Sequence, residues 1–236
     1  MWRRRRSRGT TALAELAASP SWMYEWDLGD GVRTAPIGAE LQSVHDTRAA
    51  IIEPVARAAL AEAGPRAVAL DLACSEGWFA HRLLDWGAAR VVGVDIRPEN
   101  IRRAELVRDR LGVDSDRLGF LLADVFDPVV ATLGPFDVVL CLGLIYHLEN
   151  PIGALRIAHR LTGGICVVET QLHEHDEPIA HGWGVSGEPD RAALLDAMAA
   201  AGFDPVEVPP VPAGLNAQYV DGHRLVAVGG PGRRPG

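Results

Sequence analysis

Two apolar runs that each end in an aspartate, 24 positions apart, constrain this chain more than any other feature. Residues 67–80 read AVALDLACSEGWFA, so one run ends at Asp71 and passes into a turn of small residues. An amphipathic stretch follows, and a second run, VVGVD, ends at Asp95. Strand, turn, helix and strand at that spacing make one crossover unit. Its turn and its second acidic residue stand where such units hold a nucleoside. The plainer alternative is an ordinary crossover turn with incidental acids.

The turn separates one class of nucleoside from another. A dinucleotide fingerprint needs glycines at 73, 75 and 78, and the chain has Ala73, Ser75 and Trp78. Trp78 obstructs the close helix–strand packing that the third glycine permits. Glu76 sets a carboxylate where a pyrophosphate would meet the helix N-terminus. S-adenosylmethionine carries no phosphate, and its sulfonium and ammonium are compatible with Asp71 and Glu76. Gly77 leaves the backbone room beside a ligand. Asp95 can accept both ribose hydroxyls.

A third apolar run, LLADVF (121–126), ends at Asp124, where a carboxylate can take an adenine amino group. FDVVLCLGLIYHLENP (136–151) reads as a buried strand running into a loop. With DLACSEGWFA and VVGVDIRPENI, these segments resemble the class I S-adenosylmethionine-dependent methyltransferases. More narrowly, they are similar to the branch related to bacterial tRNA wobble-uridine carboxymethyltransferases, many of whose members methylate small metabolites. The resemblance covers roughly residues 20–230, with LCLGLIYHLENP its most specific piece. It implies an α/β, Rossmann-like, doubly wound and mostly parallel seven-stranded sheet. A C-terminal antiparallel hairpin strand and an N-terminal helical and aromatic lid complete that expectation. It also implies cofactor roles for Asp71, Ala73, Cys74, Ser75, Gly77, Asp95, Ile96, Asp124, Val125, Cys141 and Leu142.

Composition narrows the class. The chain has 236 residues, enough for one domain with a sizeable core, and 48% are hydrophobic. No apolar run reaches the 18 or so residues of a membrane-spanning helix. The start, MWRRRRSRG, is followed by TTALAELAASP, which lacks an apolar signal region and contains Glu15. It reads as a mobile basic tail and a short helix over 10–18. All 23 basic residues are Arg, so no Lys can form a Schiff base or grip a phosphate. Net charge is −8, which disfavours a large nucleic-acid footprint, although the Arg cluster at 3–8 can still touch an anion. Cys74, Cys141 and Cys166 lie in or beside apolar strands without metal spacing, and read as reduced core thiols in a cytoplasmic protein.

Periodicity places strands at 67–72, 91–95, 118–122, 136–142 and 164–169, and helices near 77–86, 98–111, 151–162 and 189–201. Such alternation demands a parallel sheet covered on both faces. A helix over 45–64 ends at Gly64–Pro65, and Pro54 is expected to kink or divide it. DPVEVPP (204–210) and HRLVAVG (223–229) read as strands joined without a helix. The expected organisation is a tail and lid over 1–45, a methyltransferase domain over 46–229 and a disordered tail over 230–236.

Methyl transfer asks a protein to align a nucleophile with the sulfonium methyl, exclude water and sometimes remove a proton. Tyr146 and His147 follow the fourth strand at the edge where open sheets bind ligands. His147 is a candidate general base or a structural residue of the following loop, and Tyr146 a candidate for orienting substrate. Trp22, Tyr24 and Trp26 are lid or core cover. Arg48 is a partner for a cofactor carboxylate or substrate anion, or one half of a salt bridge. Asn216, Gln218 and Tyr219, placed in the final hairpin, and Glu169, ending the fifth strand, are candidate substrate contacts. HEHDEPIAH (173–181) clusters His173, His175 and His181 with acids. It reads as a solvated loop above the site, with no metal assigned, although one of its His can compete with His147.

The expected function is therefore S-adenosylmethionine-dependent methyl transfer to an O or N of a small metabolite, as in secondary metabolism. The alternatives are methyl or carboxymethyl transfer to a tRNA wobble uridine, and a protein that holds the cofactor without transferring the methyl. The expected partner is a small-molecule acceptor, with nucleic acid and membrane not expected. The expected state is a monomer or homodimer.

Overall fold

The protein is described by a computed structural model over residues 22–38, 40–173 and 188–232. The helix expected at 10–18 and most of the HEHDEPIAH segment, including His175 and His181, lie outside the described residues. Five apolar runs form parallel strands: β1 (Val68–Leu72), β2 (Arg90–Asp95), β3 (Leu118–Leu122), β4 (Phe136–Leu142) and β5 (Thr162–Gln171). Two more follow, β6 (Val206–Glu207) and β7 (Arg224–Gly229). Sheet order is β3-β2-β1-β4-β5-β7-β6, with β7 antiparallel to both neighbours. The chain winds outward from β1 in one direction and from β4 in the other. The crevice between their carboxyl ends is the switch point where such sheets bind ligands.

The central strands are apolar throughout because both of their faces are covered. One core lies under α1 (Leu41–Ala63) and α2 (Trp78–Trp86), and centres on Ile52, Leu60, Phe79, Leu83 and Leu140. The other centres on Leu70, Val139, Leu155, Leu161 and Met198, with α5 (Pro151–Leu161) and α6 (Arg191–Ala201) supplying the cover. Helix starts follow local chemistry. Asn150 accepts from Gly153 N at 2.9 Å ahead of Pro151, and Asp190 accepts from Ala193 N at 2.8 Å. The helices α3 (Pro98–Arg110) and α4 (Pro128–Ala131) likewise open on a proline. Among the described residues, no helix is long and apolar enough to cross a membrane.

Four expectations need correction. Pro54 does not divide α1, which runs unbroken from Leu41 to Ala63. Pro54 is on the exposed face, so the carbonyl it deprives of an amide is on the water side. The segment 204–210 is not a long strand, because only Val206 and Glu207 pair before Pro209 and Pro210 end the ladder. The link from β6 to β7 contains a short helix, α7 (Ala217–Val220), capped by Asn216, whose side chain accepts from Gln218 N at 3.0 Å. Residues 230–232 are not loose: Gly230 N donates to Pro205 O at 2.9 Å and Gly232 N to Asp204 O at 3.2 Å.

The aromatic segment before α1 is core cover. Trp22 is fully buried, and the Arg103 guanidinium lies 5.0 Å over its ring. Tyr24 stacks on Trp78 at 5.4 Å and 3°. The segment is held by the Thr34 hydroxyl, which accepts from Trp26 N and donates to Tyr24 O, both at 2.8 Å.

Gly77 opens α2 with φ +79°, and a Cβ there would fall 2.6 Å from Phe120 Cζ. The room its missing side chain leaves is filled by protein. Gly77→Ala is expected to lower stability by about 2–4 kcal/mol, a left-handed backbone penalty plus an overpacked contact. Urea unfolding measures this, and Gly77→Ala/Phe120→Leu should recover part of the loss.

Candidate functional site

The site is built at the carboxyl ends of β1, β2 and β4. After Leu72 the chain turns through Ala73 (φ 60°), Ser75 (φ 49°) and Gly77 (φ 79°), three left-handed residues in five. Ala and Ser hold positions that glycine normally takes, at a cost that the surroundings must offset. Asp95 supplies part of that offset. Its Oδ2 accepts from Ser75 N at 2.9 Å, and its Oδ1 from Arg97 N at 2.8 Å and Asn100 Nδ2 at 3.1 Å. A carboxylate has about four acceptor sites, so Asp95 retains capacity for a further donor while clamping the turn.

Beside Asp95 the surface is apolar in an unusual way. Ile96 is 59% exposed, Leu122 51% and Phe126 41%. These three large side chains stand exposed beyond the ends of β2 and β3, and suit the flat face of a base. Asp124 is exposed there and accepts from Phe126 N at 2.8 Å, and Val125 is half-buried. Deeper in, Asp71 is 2% exposed and its Oδ2 has no hydrogen-bond partner among the described residues. Burial pushes its carboxyl up to about 8, helped by the negative charge of Asp95 and opposed by the Ala80 amide and Arg48. Cys74, Cys141 and Leu142 are buried walls, and burial pushes the Cys141 thiol up to about 12. An orphaned buried carboxylate oxygen, a clamped carboxylate with one acceptor site left and exposed apolar side chains fit an adenosine bearing a cationic amino-acid arm.

Glu76 is not part of this arrangement. It is fully buried and accepts from Met23 N at 3.0 Å on both oxygens and from Arg103 Nη1 at 3.3 Å. It ties the N-terminal segment to the turn, so its expected match to the cofactor's ammonium gives way to a structural tie.

On the β4–β5 side, the candidate substrate residues converge. Glu169 is fully buried, and its Oε2 lies 3.0 Å from Arg48 Nη2. Its Oε1 accepts from the Tyr219 hydroxyl at 2.7 Å and from Arg224 Nη1 at 3.0 Å. Arg48 Nε donates to Tyr219 Oη at 3.1 Å, and Arg224 Nε to Gln218 Oε1 at 2.7 Å. Burial opposes ionisation of Glu169, but the two guanidiniums hold its carboxyl below the usual range. Arg224 joins this cluster although no sequence motif singles it out. Its signal is register: it pairs across the sheet with Gln171, two residues beyond Glu169. Asn216 supports the cluster from outside: its N donates to Thr47 Oγ1 and its Nδ2 to Ser43 Oγ, while its Oδ1 accepts from Gln218 N and its backbone O from Tyr219 N.

Tyr146 and His147 fall in a 3-10 turn, Ile145–His147, with ring centroids 4.2 Å apart. A Cβ on Gly143 would lie 3.5 Å from Tyr146 Oη and 3.9 Å from both Arg48 terminal nitrogens, so Tyr146 and Arg48 face one crevice beyond β4. His147 is exposed. Partial burial, then Arg97 and Arg224, lower its imidazole below the ordinary value. His173 is described at the end of β5, where its N donates to Pro189 O. Among the described residues, no cluster of His, Cys, Asp and Glu is arranged to hold a metal.

A model of the methyltransferase domain family matches residues 43–208. The chain belongs to that family. It is an S-adenosylmethionine-dependent methyltransferase, and the sheet described above has the fold of that family. The tRNA U34 carboxymethyltransferase of Shewanella loihica is 34% identical over 110 residues. That match takes in 46% of this methyltransferase and only 32% of the relative's length. The N-terminal domain of EvdMO1, crystallised with SAH bound, is 26% identical with a TM-score of 0.67, over 95% of this chain and 96% of that one. Magnesium protoporphyrin IX methyltransferase from Synechocystis PCC 6803, with bound SAM, has a TM-score of 0.56 at 17% identity, over 85% and 86% of the two chains. That likeness speaks to the fold alone.

The raised Asp71 carboxyl sets a pH dependence. Between the ordinary aspartate value of 3.8 and about 8, the folded protein holds a proton on Asp71 that the unfolded chain has released. Stability from this group is present at low pH and is lost as pH rises through about 8. Buried His45 and His81, lowered to about 3 and about 4, act in the opposite sense, but only below their unfolded value of 6.5. Cofactor-free protein should therefore lose thermal stability between pH 6.5 and 8.5, and Asp71→Asn should flatten that decline in thermal-unfolding scans.

Proposed function

We propose that this methyltransferase transfers a methyl group from S-adenosylmethionine to an oxygen or nitrogen of a small metabolite. In this reading Asp95 takes a ribose hydroxyl on its Oδ2, the oxygen with one bond already made. Ile96, Asp124 and Val125 surround the adenine. Asp71, the backbone of 73–77 and the end of β4 at Cys141 and Leu142 accommodate the methionine arm. The SAH carried by the EvdMO1 domain supports this use of the fold. The cofactor supplies an activated methyl group, and the chain's own task is to align the acceptor and keep water out.

The observation that carries the small-molecule reading is the buried cluster of Arg48, Glu169, Tyr219 and Arg224. The side chains of α1, β5, α7 and β7 close on one another beside Tyr146. Such a wall suits an acceptor that enters whole. A net charge of −8 with no Lys supports the same choice. His147 is the proposed general base. It is exposed beyond β4, and its lowered imidazole is neutral at pH 7.

The Shewanella relative favours a second reading, transfer to a tRNA wobble uridine. A gel shift with bulk tRNA at low salt separates the two. The small-metabolite reading expects no shift, whereas a shift that weakens steeply with salt would favour tRNA.

Calorimetry with S-adenosylmethionine and S-adenosylhomocysteine tests the cofactor reading, which fails if neither binds folded protein. Asp95→Asn should weaken binding by about 1.5–3 kcal/mol, the worth of hydrogen bonds to a charged group. With an acceptor found by screening with labelled methyl donor, His147→Ala should lower kcat about 10²–10⁴-fold at nearly unchanged cofactor affinity. A fall of only a few fold would move the base elsewhere.

A further inference from the structure

A cavity of about 430 Å³ lies beside the buried cluster, within the range of small-molecule sites. It exists because β6 is short. Val206 and Glu207 pair with β7, and then Val208, Pro209, Pro210 and Val211 leave the sheet. The prolines have no N–H to continue the ladder. The gap between this segment and β7 is lined by Leu225 and Val226, whose side chains serve the two opposite faces of the sheet, and by Val208 and Val211. Ile51 and Leu172 add further apolar wall.

Its polar lining is different in kind. Tyr219 and Arg224 form one wall, and Arg191 stands among the lining residues. The cluster behind that wall is unbalanced in charge. Arg48 and Arg224 share one carboxylate, Glu169, and burial keeps the Tyr219 hydroxyl neutral. The Arg48, Glu169 and Arg224 side chains are 6%, 0% and 12% exposed. One positive charge is thus left largely withdrawn from water without a negative counterpart in the cluster, an arrangement that an anion relieves. Three bonds from Arg224, to Glu169, Gln218 and Gln171, engage three of its five N–H groups. Through Glu169 it is joined to Arg48, and a Cβ on Gly143 would lie near both Arg48 and Tyr146 Oη in the crevice beyond β4. Arg224 therefore borders the cavity and is linked through the cluster to the crevice where transfer is proposed.

We propose that this cavity is the acceptor pocket, and that the acceptor has an apolar body seated between β7 and residues 208–211 and one anionic group held by Arg224. The proposal rests on the small-metabolite reading above, and narrows it to an amphipathic anion. Apolar walls select the body of the molecule, and the guanidinium selects its charged end.

Two dyes probe this without knowledge of the natural acceptor. One is 8-anilinonaphthalene-1-sulfonate, an apolar body with one anion; the other is its uncharged counterpart, N-phenyl-1-naphthylamine. Each is titrated by fluorescence into folded protein saturated with S-adenosylhomocysteine. Val211→Trp, which fills the cavity from its exposed edge, should weaken both dyes about tenfold or more. Arg224→Gln should weaken the sulfonate about tenfold and the neutral dye less than about twofold, and Arg224→Lys should keep most of the sulfonate binding. Circular dichroism shows that each variant is folded. The proposal is overturned if Val211→Trp leaves both dyes unchanged, or if Arg224→Gln weakens the two dyes equally. Failure of S-adenosylhomocysteine to bind the wild type would instead sink the cofactor reading, a separate outcome from the dye result.

Discussion

The carboxylate of Asp95 is the contact on which the rest of the site depends. Ser75 adopts a left-handed backbone that Ser rarely takes, and its amide is held by Asp95 at 2.9 Å. The same carboxylate ties down the start of α3 through Arg97 N and Asn100. The end of one strand thereby fixes the turn after its neighbour and the helix that follows. Hydrogen bonds to an ionised acceptor are among the stronger ones available. The turn can do without its usual glycines because this clamp compensates. A ligand that uses the remaining acceptor site of Asp95 meets a carboxylate already oriented by its own fold.

Electrostatics divide the crevice into two halves. On the β1–β2 side, Asp71 and Asp95 are buried close enough for one to raise the other's carboxyl, which favours a cationic ligand. On the β5–β7 side, two guanidiniums exceed one carboxylate, which favours an anion. Methyl transfer from a sulfonium discharges a cation, so an acidic half for the donor and a basic half for the acceptor are complementary. Removing Glu169 would leave two buried guanidiniums facing each other. The cluster is therefore also a folding constraint joining α1, β5, α7 and β7.

The scaffold was legible in sequence because central parallel strands must be apolar on both faces and because their last residues carry function. Asp71 and Asp95 mark the ends of β1 and β2 by chemistry as well as hydropathy. Directions of side chains across long sequence separations were not legible. Glu76 faces Met23, 53 positions away, and local spacing does not reveal which way a turn carboxylate points. Trp22 and Tyr24 resemble lid residues until the helices that cover them are placed. Arg224 carries no local sequence signal, because its role comes from antiparallel register with β5. Pro54 stays inside one helix because its exposed face lets the carbonyl it strands reach water, which lowers the cost of proline there without removing it.

The most direct measurement is a crystal structure of the protein grown with S-adenosylhomocysteine. The expected result is a ribose hydroxyl within hydrogen-bond distance of Asp95 Oδ2, the adenine against Ile96, and the turn at Ala73–Gly77 unmoved, with Ser75 N still on Asp95. A nucleoside bound elsewhere on the sheet would contradict it. So would an Asp95 that releases Ser75 to bind the ligand, since the clamp would then not be what prepares the site.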